Sequence, residues 1–433
     1  LVKFFFKDLI FHCWHFFSAS ELNHIFEKHE YKHIQKMLFN TTTFLIFLVI
    51  VFVVFWKFNK SSNTAGKMVL LAASYVFYGW WDWRFLILII FSSATDFFLG
   101  KKIYYSEKLS SRKFLLLLSI FVNIGILFVF KYYHFFISSF QEIAGISPGK
   151  WNSLRVILPV GISFYTFQTL SYTIDIYRRK IVPTHSALTF FTFVAFFPQL
   201  VAGPIERASR LIPQFEKKMA FSYQQAVSCL KLILWGLFKK MVIADQFACI
   251  VNPVFSQPDR FSGLEIVLAT FAFGFQIYCD FSGYSDIAIG TARLFGVELM
   301  ANFKTPYLAT SLRNFWQRWH ISLSTWFRDY VYIPLGGNHG NFWFWTRNII
   351  ITFAVSGLWH GANLTFLLWG FLHGAIFMAE RIVSPIFRLN PKIKNVLGGI
   401  ITFLLANFAW LFFRAENKEQ LFFLLDKIID QHS

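Results

Sequence analysis

The sequence predicts an all-α polytopic membrane protein, with about ten hydrophobic segments bundled around a cavity. Three observations predict it. Hydrophobic residues make up 56% of the 433 residues and charged ones only 15%, against about 25% charge in an ordinary soluble domain. The apolar residues come in long uncharged blocks rather than amphipathic stripes, and blocks of that length read as spans. Several blocks are interrupted by Gly or Pro, which a bilayer tolerates only where protein or a water-filled cavity covers the freed backbone. No period-two alternation runs over successive stretches, so a β-barrel is not expected. Linkers are short, and no soluble domain stands out.

In chain order, residues 1–36 come first and do not match the rest. They carry five of the twelve histidines, His12, His15, His24, His29 and His33, mixed with Glu and Lys. They lack the basic start, apolar core and small-residue cleavage site of a signal peptide. The histidines are too irregularly spaced for a metal-binding tract. Met37 leads straight into the first good span, so residues 1–36 read as an over-extended open frame and 37–433 as one membrane domain. Residues 37–56 form the first apolar block, 114–130 another and 156–174 a third, the last interrupted by Pro159 and Gly161. Pro198, Gly203 and Pro204 interrupt the next.

Asp280 and Asp286 follow, in Cys279-Asp280-Phe281-Ser282-Gly283-Tyr284-Ser285-Asp286. Paired acids near a span relay protons or bind a cation. A helix entry explains them as well, with Ser282 or Ser285 as cap and the acids favoured at the N-terminus. Residues 313–340 are the densest polar stretch, with Arg313, Arg318, His320, Arg328 and Asp329 among five Trp and Tyr. Arg318, Ser322 and Thr325 share one helical spacing and Trp316, Trp319 and Leu323 another, which fits an interfacial helix. Pro334-Leu335-Gly336-Gly337-Asn338 then makes a turn.

Residues 348–379 form a run of 32 without acid, lysine or arginine, in which His360 and His373 are the only ionisable groups. As one helix it would be about 48 Å long, against roughly 30 Å of hydrocarbon. It must break, and Trp359-His360-Gly361-Ala362-Asn363 is the obvious place. A titratable group at a break between apolar segments is costly in lipid and hence a functional candidate. His320 lies 40 residues earlier on a different element, so the two histidines can face one cavity. A histidine near neutrality takes a proton from a hydroxyl or thiol as it attacks an acyl carbon. His373 lies inside a span, where packing explains it. Another nineteen uncharged residues separate Lys394 from Arg414.

The net charge of +18 raises the question of nucleic acid, but the bases punctuate the apolar blocks. Lys101-Lys102, Arg112-Lys113, Arg178-Arg179-Lys180, Lys217-Lys218 and Lys239-Lys240 read as loops obeying the positive-inside bias and facing anionic lipid. No basic stripe or aromatic platform supports nucleic-acid binding. Some of these bases would help hold an anionic donor such as a CoA thioester. Cys13, Cys229, Cys249 and Cys279 are widely spaced, so neither a disulfide framework nor a metal site is expected. No G-x-S-x-G elbow, Walker loop or G-x-G-x-x-G is present.

Six strings, in order, carry a resemblance. They are Ala73-Ser74-Tyr75-Val76-Phe77-Tyr78, Leu158-Pro159-Val160-Gly161-Ile162-Ser163-Phe164-Tyr165, Ala202-Gly203-Pro204-Ile205, the segment 280–286, the segment 320–338, and Trp359-His360-Gly361-Ala362-Asn363. The chain resembles the membrane-bound O-acyltransferase superfamily, in its bacterial alginate-acetylating branch. The resemblance implies transmembrane or re-entrant helices around a central funnel or tunnel. It implies His360 as the catalytic histidine and His320 as a second active-site residue, with Arg318, Ser322, Arg328, Asp329 and Asn363 as candidates for substrate binding. It implies a cytoplasmic acyl donor, acetyl-CoA, as substrate rather than a bound cofactor. The partners implied are an extracytoplasmic acetyltransferase or acyl-accepting protein and a polysaccharide acceptor, at the bacterial cytoplasmic membrane. The front 36 residues have no counterpart in that family, and relatives continue beyond the position of Ser433 into another hydrophobic stretch. Alternatives are D-alanyl transfer to teichoic acid from a carrier protein, a transporter or flippase, and a non-catalytic scaffold for a polysaccharide synthase.

Overall fold

The computed structural model describes residues 37–146, 157–201, 203–383 and 390–430. The chain divides into two compact units, Leu1–Met37 and Leu38–Ser433. The reading of residues 1–36 as an extension lies outside the described residues. Everything below concerns the second unit, which among the described residues is helical and has no strand.

Helix α1 (Thr42–Ser61) starts where the Thr41 hydroxyl accepts the Phe44 amide. Its 20 residues span about 30 Å, the thickness of the hydrocarbon core. Ser62 ends it and caps α2 (Asn63–Asp82) by accepting the Thr64 amide. A short turn, Trp83–Phe85, leads from α2 to α3 (Leu86–Tyr105). α4 (Leu109–Leu127) passes through a π turn, Phe128–Tyr132, into α5 (Tyr133–Ala144), which ends at left-handed Gly145. Next come α6 (Ile162–Tyr177), α7 (Ala187–Ala195), α8 (Phe197–Leu200) and α9 (Ala208–Glu216). α10 (Tyr223–Leu237) runs through a second π turn, Phe238–Ala244, into α11 (Asp245–Ser256), and the 32-residue α12 (Gly263–Leu294) packs along both. α13 (Leu312–Trp316), α14 (Ile321–Phe327), α15 (Phe342–His360), α16 (Leu364–Val383), α17 (Pro391–Arg414) and α18 (Lys418–Ile429) complete the unit.

Six stretches are long and apolar enough to cross a membrane: Thr42–Ser61, Asn63–Tyr105, Leu109–Ala144, Gly263–Leu294, Leu364–Val383 and Pro391–Arg414. The expected block at 156–174 is different. Its helix, α6, begins only after Pro159 and left-handed Gly161, has 16 residues, and is buried on nearly every face. Tight packing replaces lipid around it. At Gly161 a side chain is forbidden twice over, by φ +73° and by the Leu200 carbonyl 2.6 Å from where a Cβ would stand.

Three expectations are corrected by packing. Asp280 and Asp286 sit deep inside α12 rather than at its entry, and each meets a lysine of the second π turn. Lys240 bridges Asp280 and Asp245 at 2.7 Å each, while Lys239 reaches Asp286 at 2.6 Å and the Ser282 hydroxyl at 3.0 Å. Lys239-Lys240 is therefore no loop signal, because ion pairing satisfies charges that lipid would reject. Residues 313–340 do not form one interfacial helix. Backbone bonds from Lys304 to the Arg318 carbonyl and from Ile321 to the Asn302 carbonyl hold a turn between α13 and α14. Trp319, Trp326 and Phe327 point inward, with Trp326 stacked on Phe167 at 3.8 Å.

The break expected at residues 359–363 is present: α15 ends at His360 and α16 begins at Leu364. The two helices cross at contact distance because Gly357 lies under the Phe366 carbonyl and Gly370 under that of Phe353. That close hairpin brings Trp369 back onto the His360 ring, 5.2 Å between centroids.

Candidate active site

His360 is the last residue of α15, and Gly361 continues in extended backbone, so the ring stands at a helix end. Two side chains of the first π turn hold that end. The Tyr132 hydroxyl donates to the Leu358 carbonyl at 2.9 Å, and the Lys131 ammonium donates to the carbonyl of Trp359. Both carbonyls belong to the last turn of α15, which otherwise has no intrahelical partner. Trp359 and Trp369 flank the His360 ring at 5.0 and 5.2 Å, and Phe413 of α17 lies at 5.1 Å.

His320 reaches the same place from the other side. It precedes α14 in a left-handed conformation, φ 43° and ψ 53°, which few residues other than glycine adopt. Such strain persists only where the surroundings enforce it, and it gathers at working sites. Here the backbone just after the ring is pinned by Asn302: Ile321 donates to its carbonyl, and Ser322 bonds its side-chain oxygen through amide and hydroxyl. The His320 ring is 1% exposed, packs edge-on against Phe281 at 4.6 Å, and neither of its nitrogens has a hydrogen-bond partner among the described residues. A buried polar group left unpaired asks for an explanation.

The His320 and His360 centroids are 6.4 Å apart. Both line one cavity of about 350 Å³, together with Lys131, the segment 158–164, Ile277, Phe281, Trp319, Trp359, Trp410 and Phe413. A concave, mostly apolar space with a few converging polar groups is what a small-molecule site looks like. The imidazoles supply proton acceptors and Lys131 a positive charge, between aromatic walls.

Of the other sequence candidates, none lines this cavity. Arg318 turns toward the Thr305 hydroxyl at 3.4 Å, and Ser322 is spent on Asn302. Arg328 and Arg207 both bond the Asp329 carboxylate, and Arg178 bonds the Asp329 carbonyl. Asn363 accepts the Thr365 amide and donates to the Glu416 carbonyl, fixing the α15–α16 turn to the end of α17. His373 sits apart, packed by Trp369 at 4.7 Å and Trp316 at 5.1 Å. Sequence reasoning missed Lys131 and Ser163. Lys131 directly follows the uncharged block 114–130, where a lysine reads as well as the end of a span.

Comparison with known proteins identifies the family. Residues 177–416 match the profile described as MBOAT, membrane-bound O-acyltransferase family. The chain is 39% identical over 385 residues to a probable alginate O-acetylase of Pseudomonas aeruginosa, across 88% of this chain and 72% of that protein. It is 35% identical over 413 residues to a peptidoglycan O-acetyltransferase of Helicobacter pylori, across 88% and 78%. A teichoic acid D-alanyltransferase of Streptococcus thermophilus is 28% identical over 291 residues, 58% of this chain and 69% of that protein. The chain belongs to the membrane-bound O-acyltransferase family and is a multi-pass membrane acyltransferase.

Proposed function

We propose that this acyltransferase takes acetyl groups from acetyl-CoA on the cytoplasmic side of a bacterial inner membrane and delivers them for O-acetylation of an extracytoplasmic polysaccharide such as alginate. The observation that carries the reading is the meeting of His320 and His360, from separate elements, on one aromatic-walled cavity. His360 is the general base. It removes the proton of the acceptor hydroxyl as that oxygen attacks the thioester carbonyl carbon, and returns the proton to the thiolate when the C–S bond breaks. His320, held in a strained backbone beside it, orients the acyl group or relays the proton. A continuous funnel lets the acyl group cross while CoA stays behind. A partner acetyltransferase receives it and passes it to the sugar hydroxyl. Similarity to O-acetylating relatives along 88% of the chain supports acetyl as the group moved.

The test uses membranes containing this protein, a candidate partner and alginate, supplied with acetyl-labelled CoA. Label is expected on partner or polymer with the wild type, and not with His360→Ala at equal abundance. Equal labelling by the variant removes His360 from the mechanism. A second acceptor, peptidoglycan, is suggested by the similarity over 88% of the chain to the Helicobacter peptidoglycan O-acetyltransferase, and is separated by supplying that polymer instead. Transfer only from an aminoacylated carrier protein would point to D-alanylation.

A further inference from the structure

The cavity holds one charge that the histidine mechanism does not use. Lys131 sits on the π turn Phe128–Tyr132, an irregularity that α-helices often carry at functional sites. Its ammonium group donates to the Trp359 carbonyl and, at 3.2 Å, to the Ser163 hydroxyl, and it lies 5.4 Å from the centre of the Trp359 ring. Among the described residues no carboxylate pairs with it. The contrast with Lys239 and Lys240 is direct, since both of those meet aspartates at 2.6–2.7 Å. A cation in an apolar bundle without a counter-charge is costly unless an anion arrives.

The wall beside it is also electropositive. Ser163 is the second residue of α6, whose N-cap is Gly161, so no side chain caps the first turn. The Ile162 and Phe164 amides already donate to the Pro159 and Gly161 carbonyls, so it is the helix dipole that favours negative charge there. The unpaired His320 ring lines the same space. The cavity thus combines a cation bonded only to neutral oxygens with an imidazole that has no partner among the described residues.

We propose that Lys131, with the Ser163 hydroxyl and the start of α6, stabilises the oxyanion of acyl transfer. As the acceptor oxygen bonds to the carbonyl carbon, the C=O π pair moves onto the carbonyl oxygen, which the ammonium holds. When the pair returns, the C–S bond breaks and the thiolate takes the proton carried by His360. The inference rests on the transfer reading above and adds its electrophilic partner. Lys131 also ties the end of α15, so its charge and its tether must be separated.

Three variants do so in the acetyl-CoA assay: Lys131→Gln keeps a donor for the Trp359 carbonyl without charge, Lys131→Arg keeps both, and Ser163→Ala removes the neighbouring hydroxyl. Lys131→Gln is expected to lower kcat by about 10²- to 10³-fold, the loss typical of one oxyanion donor, with donor KM and thermal midpoint near wild type. Lys131→Arg is expected to recover most of kcat, and Ser163→Ala to lose less than Lys131→Gln. Near-wild-type kcat in Lys131→Gln, or a loss confined to KM or to stability, overturns the inference and leaves a tether. His360→Ala in the same series tests the underlying reading: full activity there, or no transfer by wild type, overturns the transfer reading itself. Loss in His360→Ala alone overturns only the role of Lys131.

Discussion

Two buried polar regions of this molecule are handled in opposite ways. Where α3, α4 and α6 meet, Asp96 is fully buried and both carboxylate oxygens are bonded. Ser119 donates to one at 2.6 Å and Asn123 to the other at 2.7 Å, while Ser92 and Thr169 donate in turn to Asn123. Across the unit, His320 is buried almost as completely with neither nitrogen paired, and Lys131 lacks a counter-charge among the described residues. A closed network stabilises a bundle, because each member satisfies the others. An open set costs stability and gains reactivity. On the proposed reading the cavity, not the acidic network, is where the chemistry happens. An unpaired ring does not mark it by itself, since His373, outside the cavity, has neither nitrogen bonded among the described residues either.

The comparison breaks most sharply at His360. His360→Ala is expected to lower acyl transfer by about 10²- to 10⁴-fold, the range of general-base catalysis, with an unchanged thermal midpoint. Loss of folding instead would make the cavity structural too. Asp96→Leu is the mirror experiment. It strands Ser119 and Asn123 and should cost about 3 kcal/mol of stability, while activity per folded molecule, measured by transfer normalised to detergent-resistant protein, stays within twofold. A catalytic loss without unfolding would show that Asp96 also takes part in function.

His320→Phe sharpens the contrast. It replaces an unpaired polar ring by an apolar one of similar size, so stability should hold or rise by up to about 1 kcal/mol. Transfer should fall at least about tenfold if the ring handles a proton. The last comparison is a pH dependence, at Glu206 in the loop before α9. Burial pushes its carboxyl up to about 7, although it accepts the Met300 amide and faces Arg210. A carboxyl raised above its ordinary 4.5 binds its proton more tightly in the folded state. Stability should therefore fall as pH rises from 4.5 to 7, by at most about 1.4 kcal/mol per pH unit. Glu206→Gln should flatten that slope in pH-dependent thermal unfolding.

Much of the membrane fold was legible because uncharged length is a one-dimensional property. The run 348–379 was too long to cross once, so a break near His360 followed from rise per residue alone. The histidine pair was legible as two unusual residues near irregular segments. Lys131 was not, since a lysine after an apolar block reads equally well as the end of a span. Nor was the interior course of residues 313–340, where spacing suggested one amphipathic helix and cross-chain bonds to Asn302 and Lys304 made two short ones.

By itself, then, the sequence determined that this chain is helical, membrane-embedded and broken at Gly- and Pro-containing points, because lipid imposes those rules on each segment separately. It determined the family through strings of residues that keep their order. Only the tertiary structure decided which ionisable groups find partners. Lys239, Lys240, Asp280 and Asp286 neutralise one another across α12 and the turn beside it, whereas Lys131, His320 and His360 converge from three elements without a carboxylate among them. Pairing depends on distances between segments far apart in the chain, and no local pattern encodes them.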